Sequence, residues 1–214
     1  MFKTVKTAKT VKNNTIELIE TQNTDYDKTI LIIGVFHGEE PQGEYLINKF
    51  LKTDLAGIKN KLLIIPCLNP DGKSINKRQN ANGIDLNRNF PTKNWKVTDN
   101  PEYFGGNKPN SETETQFMVE VLENYKFDAI LSIHAPFKIV NYDGPAKDLA
   151  QKISDITGYP VQADIGYPTP GSFGNYAGVE RNIPTITLEL PEDESNEYLW
   201  KVNKPVFEYL AYEF

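Results

Sequence analysis

The chain has 214 residues, of which 39% are apolar and 24% charged, and 29 acidic side chains against 23 basic ones give a formal charge of −6. That length suits one domain over residues 1–214 with a sizeable core, and that balance excludes a nucleic-acid partner, which needs clustered Lys and Arg. The basic opening "MFKTVKTAKT" lacks the apolar centre of a signal peptide, no apolar run nears the roughly 20 residues that span a bilayer, and a single cysteine, Cys67, permits no internal disulfide.

These features point to a soluble cytoplasmic protein with no membrane partner, and to Cys67 as a buried thiol at a strand end. Alternation in "TIELIET" (Thr15 to Thr21) predicts a half-exposed strand. "KTILIIGV" and "KLLIIPC" are short continuous apolar runs rich in Ile, as expected of strands buried on both faces. Between them, Gln42 to Lys52 carries a helical pattern, with Pro41 where a first helical residue would sit. Asn69 to Asn110 is full of Asn, Gly, Pro and Asp and has little periodicity. A segment of that length inside one domain is usually functional.

Ser111 to Tyr125 reads as a helix, with "SETE" as a capped start. "FDAILSI" (Phe127 to Ile133) is a third buried strand, and a helix pattern follows it at Ala146 to Thr157. "IPTITLEL" (Ile183 to Leu190) is a fourth buried strand, and a last helix fills about Asn196 to Tyr212. This alternation predicts an α/β fold: a mixed, mostly parallel central sheet with helices on both faces.

The chain has two histidines, and both fall at strand exits. His37 follows "TILIIGVF" and precedes Glu40 by three residues; His134 ends "ILSIH". Ligands of open α/β sheets bind at the carboxyl ends of strands. Either histidine alone reads as readily as an ordinary loop or core residue. Together with Glu40 they form a ligand set that zinc accepts with its fourth position open, which is the catalytic kind of site. Glu189 is a carboxylate inside the apolar strand "ITLEL". It is either an outward position at a sheet edge or a general base near the metal. In the long loop, Arg78 and Arg88 are planar donors suited to carboxylates or to a developing oxyanion, and Asn87 and Asn89 add neutral polar contacts.

"HGEE", "NPDG", "RQNANGIDLNRNF", "SIHAP" and "TLELP" occur in that order. This ordered set resembles the zinc metallocarboxypeptidase family, from about Thr29 to Pro191. "GYPTPGSFGNYAGVERNIPTITLELP" (Gly166 to Pro191) is similar to the family's murein peptide amidase branch. The resemblance implies a carboxypeptidase-like fold and one zinc per chain, held by His37, Glu40 and His134. It implies Glu189 as the base that takes a proton from water and returns it to the leaving amine. Arg78 would stabilise the oxyanion, and Asn87 and Arg88 would hold the substrate's terminal carboxylate. A mobile tyrosine covers the substrate in this family; Tyr167 is the nearest position and Tyr176 the alternative. Phe173 and Asn175, after the Gly-Ser turn, are candidate pocket residues. The implied reaction is hydrolysis of the γ-D-glutamyl–meso-diaminopimelate bond of a small murein peptide with a free carboxylate, in cell-wall recycling. An N-acyl amino acid deacylase of the succinylglutamate desuccinylase or aspartoacylase type shares the "HG-x-E" motif and stays open at this point. So do a general metallocarboxypeptidase and a peptide-binding module without hydrolysis, while oligomeric state is unreadable.

Overall fold

The Ile-rich runs form the centre of an eight-stranded sheet in the computed structural model, which describes residues 2–214. In chain order the elements are β1 (Phe2–Lys9), β2 (Thr15–Thr21), β3 (Thr29–Gly34), α1 (Gln42–Phe50), β4 (Lys61–Ile65), α2 (Pro70–Ser74) and α3 (Thr113–Asn124). Then come β5 (Ala129–His134), β6 (Phe137–Asp143), α4 (Lys147–Thr157), β7 (Val161–Gln162), β8 (Thr185–Pro191) and α5 (Asn196–Tyr212). The sheet order is β1-β2-β4-β3-β5-β8-β6-β7. β4, β3, β5 and β8 run parallel, as do β6 and β7, while β1–β2, β2–β4 and β6–β8 are antiparallel. The mixed, mostly parallel sheet expected from the alternation is therefore present.

Period-two alternation divides the core. Ile30, Ile32, Leu62, Ile64 and Leu131 face one side, with Leu46 and Ile47 of α1, Leu149 and Ile153 of α4 and Phe207 of α5. Leu31, Ile33, Leu63 and Ile65 face the other, with Phe117, Met118 and Val121 of α3. Both faces of these strands are covered, which is why the runs are continuously apolar rather than alternating.

Several local features differ from the sequence expectation. β1, β6 and β7 join the sheet although nothing in their sequence marks them as strands. α3 begins at Thr113 with Glu112 as N-cap and no side-chain cap bond; the Ser111 hydroxyl instead donates to Glu112 Oε1 at 2.6 Å. Pro41 is the N-cap of α1 rather than its first residue. Cys67 is half-buried just after β4, and burial, with Glu44 nearby, pushes its thiol up to about 12, so it stays protonated and inert. Among the described residues no helix is long and apolar enough to cross a membrane.

Candidate metal and catalytic site

β3 and β5 are neighbours and parallel, so their carboxyl ends open at the same edge. His134 is the last residue of β5. Beyond β3 the chain turns sharply. Val35 holds a left-handed φ of 55°, which a β-branched residue adopts only under constraint. The constraint is visible: the Gly34 and Val35 carbonyls accept from Leu68 and Asn69 N–H at 3.1 and 2.9 Å. The turn buries Phe36, whose ring stacks on His134 at 5.3 Å between centroids.

His37 and His134 meet edge to face at 4.9 Å, and Glu40 lies between them. Its Oε1 is 2.7 Å from His37 Nδ1, and its Oε2 is 3.0 Å from His134 Nδ1. All three side chains are buried, and one ligand atom from each lies within 4.8 Å of the others. Burial alone would raise the Glu40 carboxyl, but the two imidazoles hold it well below the usual carboxylate range. Burial alone would lower His37, yet Glu40, with help from Asp85, raises it to about 9. Both shifts show that positive charge is held favourably at the cluster, and two imidazole nitrogens with one carboxylate fit zinc, with a coordination position to spare.

Arg78, Arg88 and Asn87 reach the cluster from the long loop. That loop contains α2 and two short 3-10 turns, Leu86–Arg88 and Pro101–Tyr103, and is tied down by buried amides. Asn69 caps α2, accepting from Gly72 N–H at 2.9 Å, and donates to the Phe36 and Arg78 carbonyls at 3.2 and 3.3 Å. Asn89 is fully buried and donates to the Gly105 carbonyl at 2.8 Å, so it braces the loop and is no substrate contact. Gly171, at a φ of 74°, lies where a Cβ would overlap the Arg88 carbonyl, and so fixes that stretch against the segment carrying Tyr167.

Asp85 ties the loop to the cluster. Fully buried, it accepts from Arg78 Nε at 3.0 Å and from the Asn87 N–H at 2.8 Å, and its Oδ1 lies 3.4 Å from His37 Nε2. Sequence reasoning passed over Asp85. Its signal was the one that marked Glu189: a carboxylate between apolar neighbours, Ile84 and Leu86. Arg78 Nη1 stands 3.9 Å from Glu40 Oε1, facing the cluster. Tyr103, also missed, sets its ring 5.2 and 5.4 Å from the Arg78 and Arg88 guanidinium carbons.

β8 lies between β5 and β6, which removes the sheet-edge reading of Glu189. Glu189 pairs in register with His134 on one side and Ile139 on the other. Burial pushes its carboxyl up, and Oε2 has no hydrogen-bond partner. A cavity of about 310 Å³ opens over these groups, lined by His37, Glu40, Arg78, Asn87, Arg88, His134, Tyr167 and Glu189 among others. Tyr167 is 38% exposed at its mouth, with its ring 6.2 Å from Tyr103. Tyr176 is buried against Phe90 and Arg181 and does not line the cavity. Two expectations are corrected: Phe173 packs into the core on Phe36 and Phe90, and the Asn175 amide donates to the Thr169 carbonyl at 2.9 Å, so neither lines the pocket. Ser172 and Gly174, alternate residues of the same turn, do.

The chain is 31% identical over 179 residues to murein peptide amidase A of Escherichia coli K12, covering 78% of this chain and 73% of that one. It is 35% identical over 176 residues to murein peptide amidase A of Vibrio campbellii, covering 75% and 68%. The crystal structure of murein-tripeptide amidase MpaA from Escherichia coli O157 superposes with a TM-score of 0.79 at 26% identity, over 94% of this chain and 87% of that one. Carboxypeptidase A from Helicoverpa armigera shares the fold, with a TM-score of 0.77 at 18% identity over 97% and 66%. The zinc carboxypeptidase family profile matches residues 1–147, which carry the His-Glu-His cluster and the loop around it. The chain therefore belongs to the zinc carboxypeptidase family of hydrolases.

Proposed function

We propose that this chain is a zinc-dependent murein peptide amidase. Its reaction is hydrolysis of the γ-D-glutamyl–meso-diaminopimelate bond in cytoplasmic recycling of wall peptides, with residues 1–214 acting as one catalytic domain. The observation that carries the reading is one cavity in which a buried His-Glu-His cluster meets a buried carboxylate, Glu189, and two arginines. The likeness to murein peptide amidases over more than two thirds of both chains supports the substrate class.

One zinc, held by His37, Glu40 and His134, would polarise the scissile carbonyl and acidify water towards a pKa of about 7. Glu189 takes the proton from the attacking water and delivers it to the leaving amine; its raised affinity for protons suits both steps. Arg78, braced by Asp85, supplies fixed positive charge where the oxyanion develops. Arg88 and Asn87 receive the free carboxylate beside the scissile amide and align it. Tyr167 at the mouth covers the bound peptide and limits water.

The test is mass spectrometry of zinc-loaded protein incubated with L-alanyl-γ-D-glutamyl-meso-diaminopimelate. An α-linked peptide, N-acetylaspartate and N-succinylglutamate are offered in parallel. Release of free diaminopimelate is the expected result. Cleavage of the α-linked peptide alone would make the protein a general carboxypeptidase, and cleavage of the acylamino acids alone would make it a deacylase.

A further inference from the structure

A second cavity, of about 650 Å³, opens beside the first. The two share Glu39, Arg78 and Glu102, and Arg88 lines only the first. Three tied segments build this second groove. Gly38 packs so closely on α2 that a Cβ there would overlap Gly72 and Lys73 backbone, which sets Glu39 beside the chain leaving α2. The Gly38 N–H donates to the Arg78 carbonyl at 3.4 Å, and the Lys77 N–H to the Gly72 carbonyl at 3.0 Å. Gln79 Nε2 donates to the Pro101 and Glu102 carbonyls at 3.3 and 3.0 Å, so Glu102 is held against the same stretch.

The groove carries charges of both signs that do not cancel. Lys77, Glu39 and Glu102 are exposed, and among the described residues none of them forms an ion pair. Unpaired surface charges are ordinary, because exposed pairs gain little. Here, however, they line one concavity continuous with the catalytic cavity, an arrangement suited to a ligand that carries both signs. Arg88 and Asn87 are read as holding the leaving residue, and Arg78 as standing at the scissile carbonyl. A groove that shares Arg78 but not Arg88 therefore takes the acyl half of the substrate. A glutamyl residue joined through its γ-carboxyl keeps its α-carboxylate free, whereas an α-linked one does not. The residue before it, at the start of a short peptide, keeps an α-ammonium.

We propose that this groove reads the acyl half as a zwitterion: Lys77 receives the free α-carboxylate of a γ-linked glutamyl residue, and Glu102 with Glu39 receives the α-ammonium of the residue before it. This rests on the functional reading above, which supplies the direction of the substrate. Lys77 then separates γ-linked from α-linked glutamyl peptides, and the two glutamates separate a free amino terminus from an acylated one. Converting the α-carboxylate to a carboxamide removes one charge with almost no change of shape. Acetylating the amino terminus removes the other. The two derivatives therefore isolate the two contacts.

For zinc-loaded protein, kcat/KM is measured on L-alanyl-γ-D-glutamyl-meso-diaminopimelate, its glutamyl α-carboxamide and its N-acetyl derivative. The three corresponding acyl dipeptides, which lack the scissile amide, are titrated calorimetrically. The parent is expected to be favoured over each derivative by roughly three- to tenfold, a charge-assisted contact discounted for its exposure. Both preferences should shrink as salt is raised. Lys77→Met should bring the carboxylate-to-carboxamide ratio to within roughly twofold of unity and leave the amino-terminal preference in place. The double variant Glu39→Gln, Glu102→Gln should do the converse. Zinc content and unfolding curves establish that each variant is intact, since Glu39 adjoins Glu40; should the double variant lose zinc, Glu102→Gln alone must lower the amino-terminal preference. Absence of either preference in the wild type, or a preference unchanged in its own intact variant, overturns the proposal. Selective binding of the parent dipeptide without hydrolysis of any γ-linked peptide overturns the functional reading and leaves the groove in its role. Hydrolysis with no selectivity does the reverse.

Discussion

Replacing Asp85 by Asn should loosen zinc without touching His37, Glu40 or His134. Asp85 is fully buried and serves His37 Nε2, two Arg78 nitrogens and the Asn87 N–H at 2.8 to 3.4 Å. An amide of the same size offers one acceptor oxygen and no charge. His37 then loses the group that orients its outer nitrogen; partners of this kind are worth roughly 10- to 100-fold in metal affinity. At 1.36 kcal/mol per decade that is about 1.4–2.7 kcal/mol. Arg78 also loses its counter-charge. Breaking a buried pair costs about 3–5 kcal/mol, but the Arg78 side chain is 16% exposed and one acceptor survives, so about 2–3 kcal/mol is expected. Chelator competition reads the first quantity, and urea unfolding in excess chelator reads the second. His134→Ala, which removes a ligand outright, sets the floor of the metal assay. Zinc affinity within twofold of wild type in Asp85→Asn would refute the reasoning, because His37 would then need no partner behind it.

Glu189→Gln should keep zinc and fold while turnover falls by roughly 100- to 10,000-fold; near-normal kcat in steady-state assays would remove it as the base. Arg88→Ala should raise KM and lower kcat through lost alignment, whereas Arg78→Ala should act chiefly on kcat, and identical effects would dissolve the division of labour between them. Glu114 lies outside the site, and burial pushes its carboxyl from 4.5 up to about 7. Across that window the unfolded chain releases a proton that the native state retains, so stability falls as pH rises, by at most about 3 kcal/mol, and levels off above the window. Glu114→Gln should flatten that part of the pH profile in chemical denaturation; an unchanged slope would show that the carboxyl titrates normally.

What could be read from the sequence was what short-range pattern encodes. β3, β4, β5 and β8 are buried on both faces and announce themselves as apolar runs, and the two histidines stand out because each terminates one. β1 is a half-exposed antiparallel edge strand whose Thr and Lys content looks like a basic tail. β6 is only partly apolar, since its alternate residues Asn141 and Asp143 line a cavity rather than a core. Contacts made across long sequence separations were hidden. Asp85 reaches back 48 positions to His37, and Asp143 meets Gly174 across 31. Phe173 and Asn175 were misjudged because a place after the Gly-Ser turn does not say which way a side chain points: Ser172 and Gly174 line the cavity, while Phe173 turns onto Phe36 and Phe90.

The position of β8 has a consequence for how the protein is made. β5 and β6 are consecutive in the chain, yet they never pair; β8 occupies the slot between them. From Asp143 at the end of β6 to Thr185 at the start of β8 the ribosome must add 42 residues, roughly two to eight seconds of synthesis at 5–20 residues per second. During that interval His37, Glu40 and His134 already exist on the nascent chain, but Glu189 does not. The topology thus sets an order of synthesis: the three proposed metal ligands are made before the strand that fills the gap in the sheet and carries the proposed base.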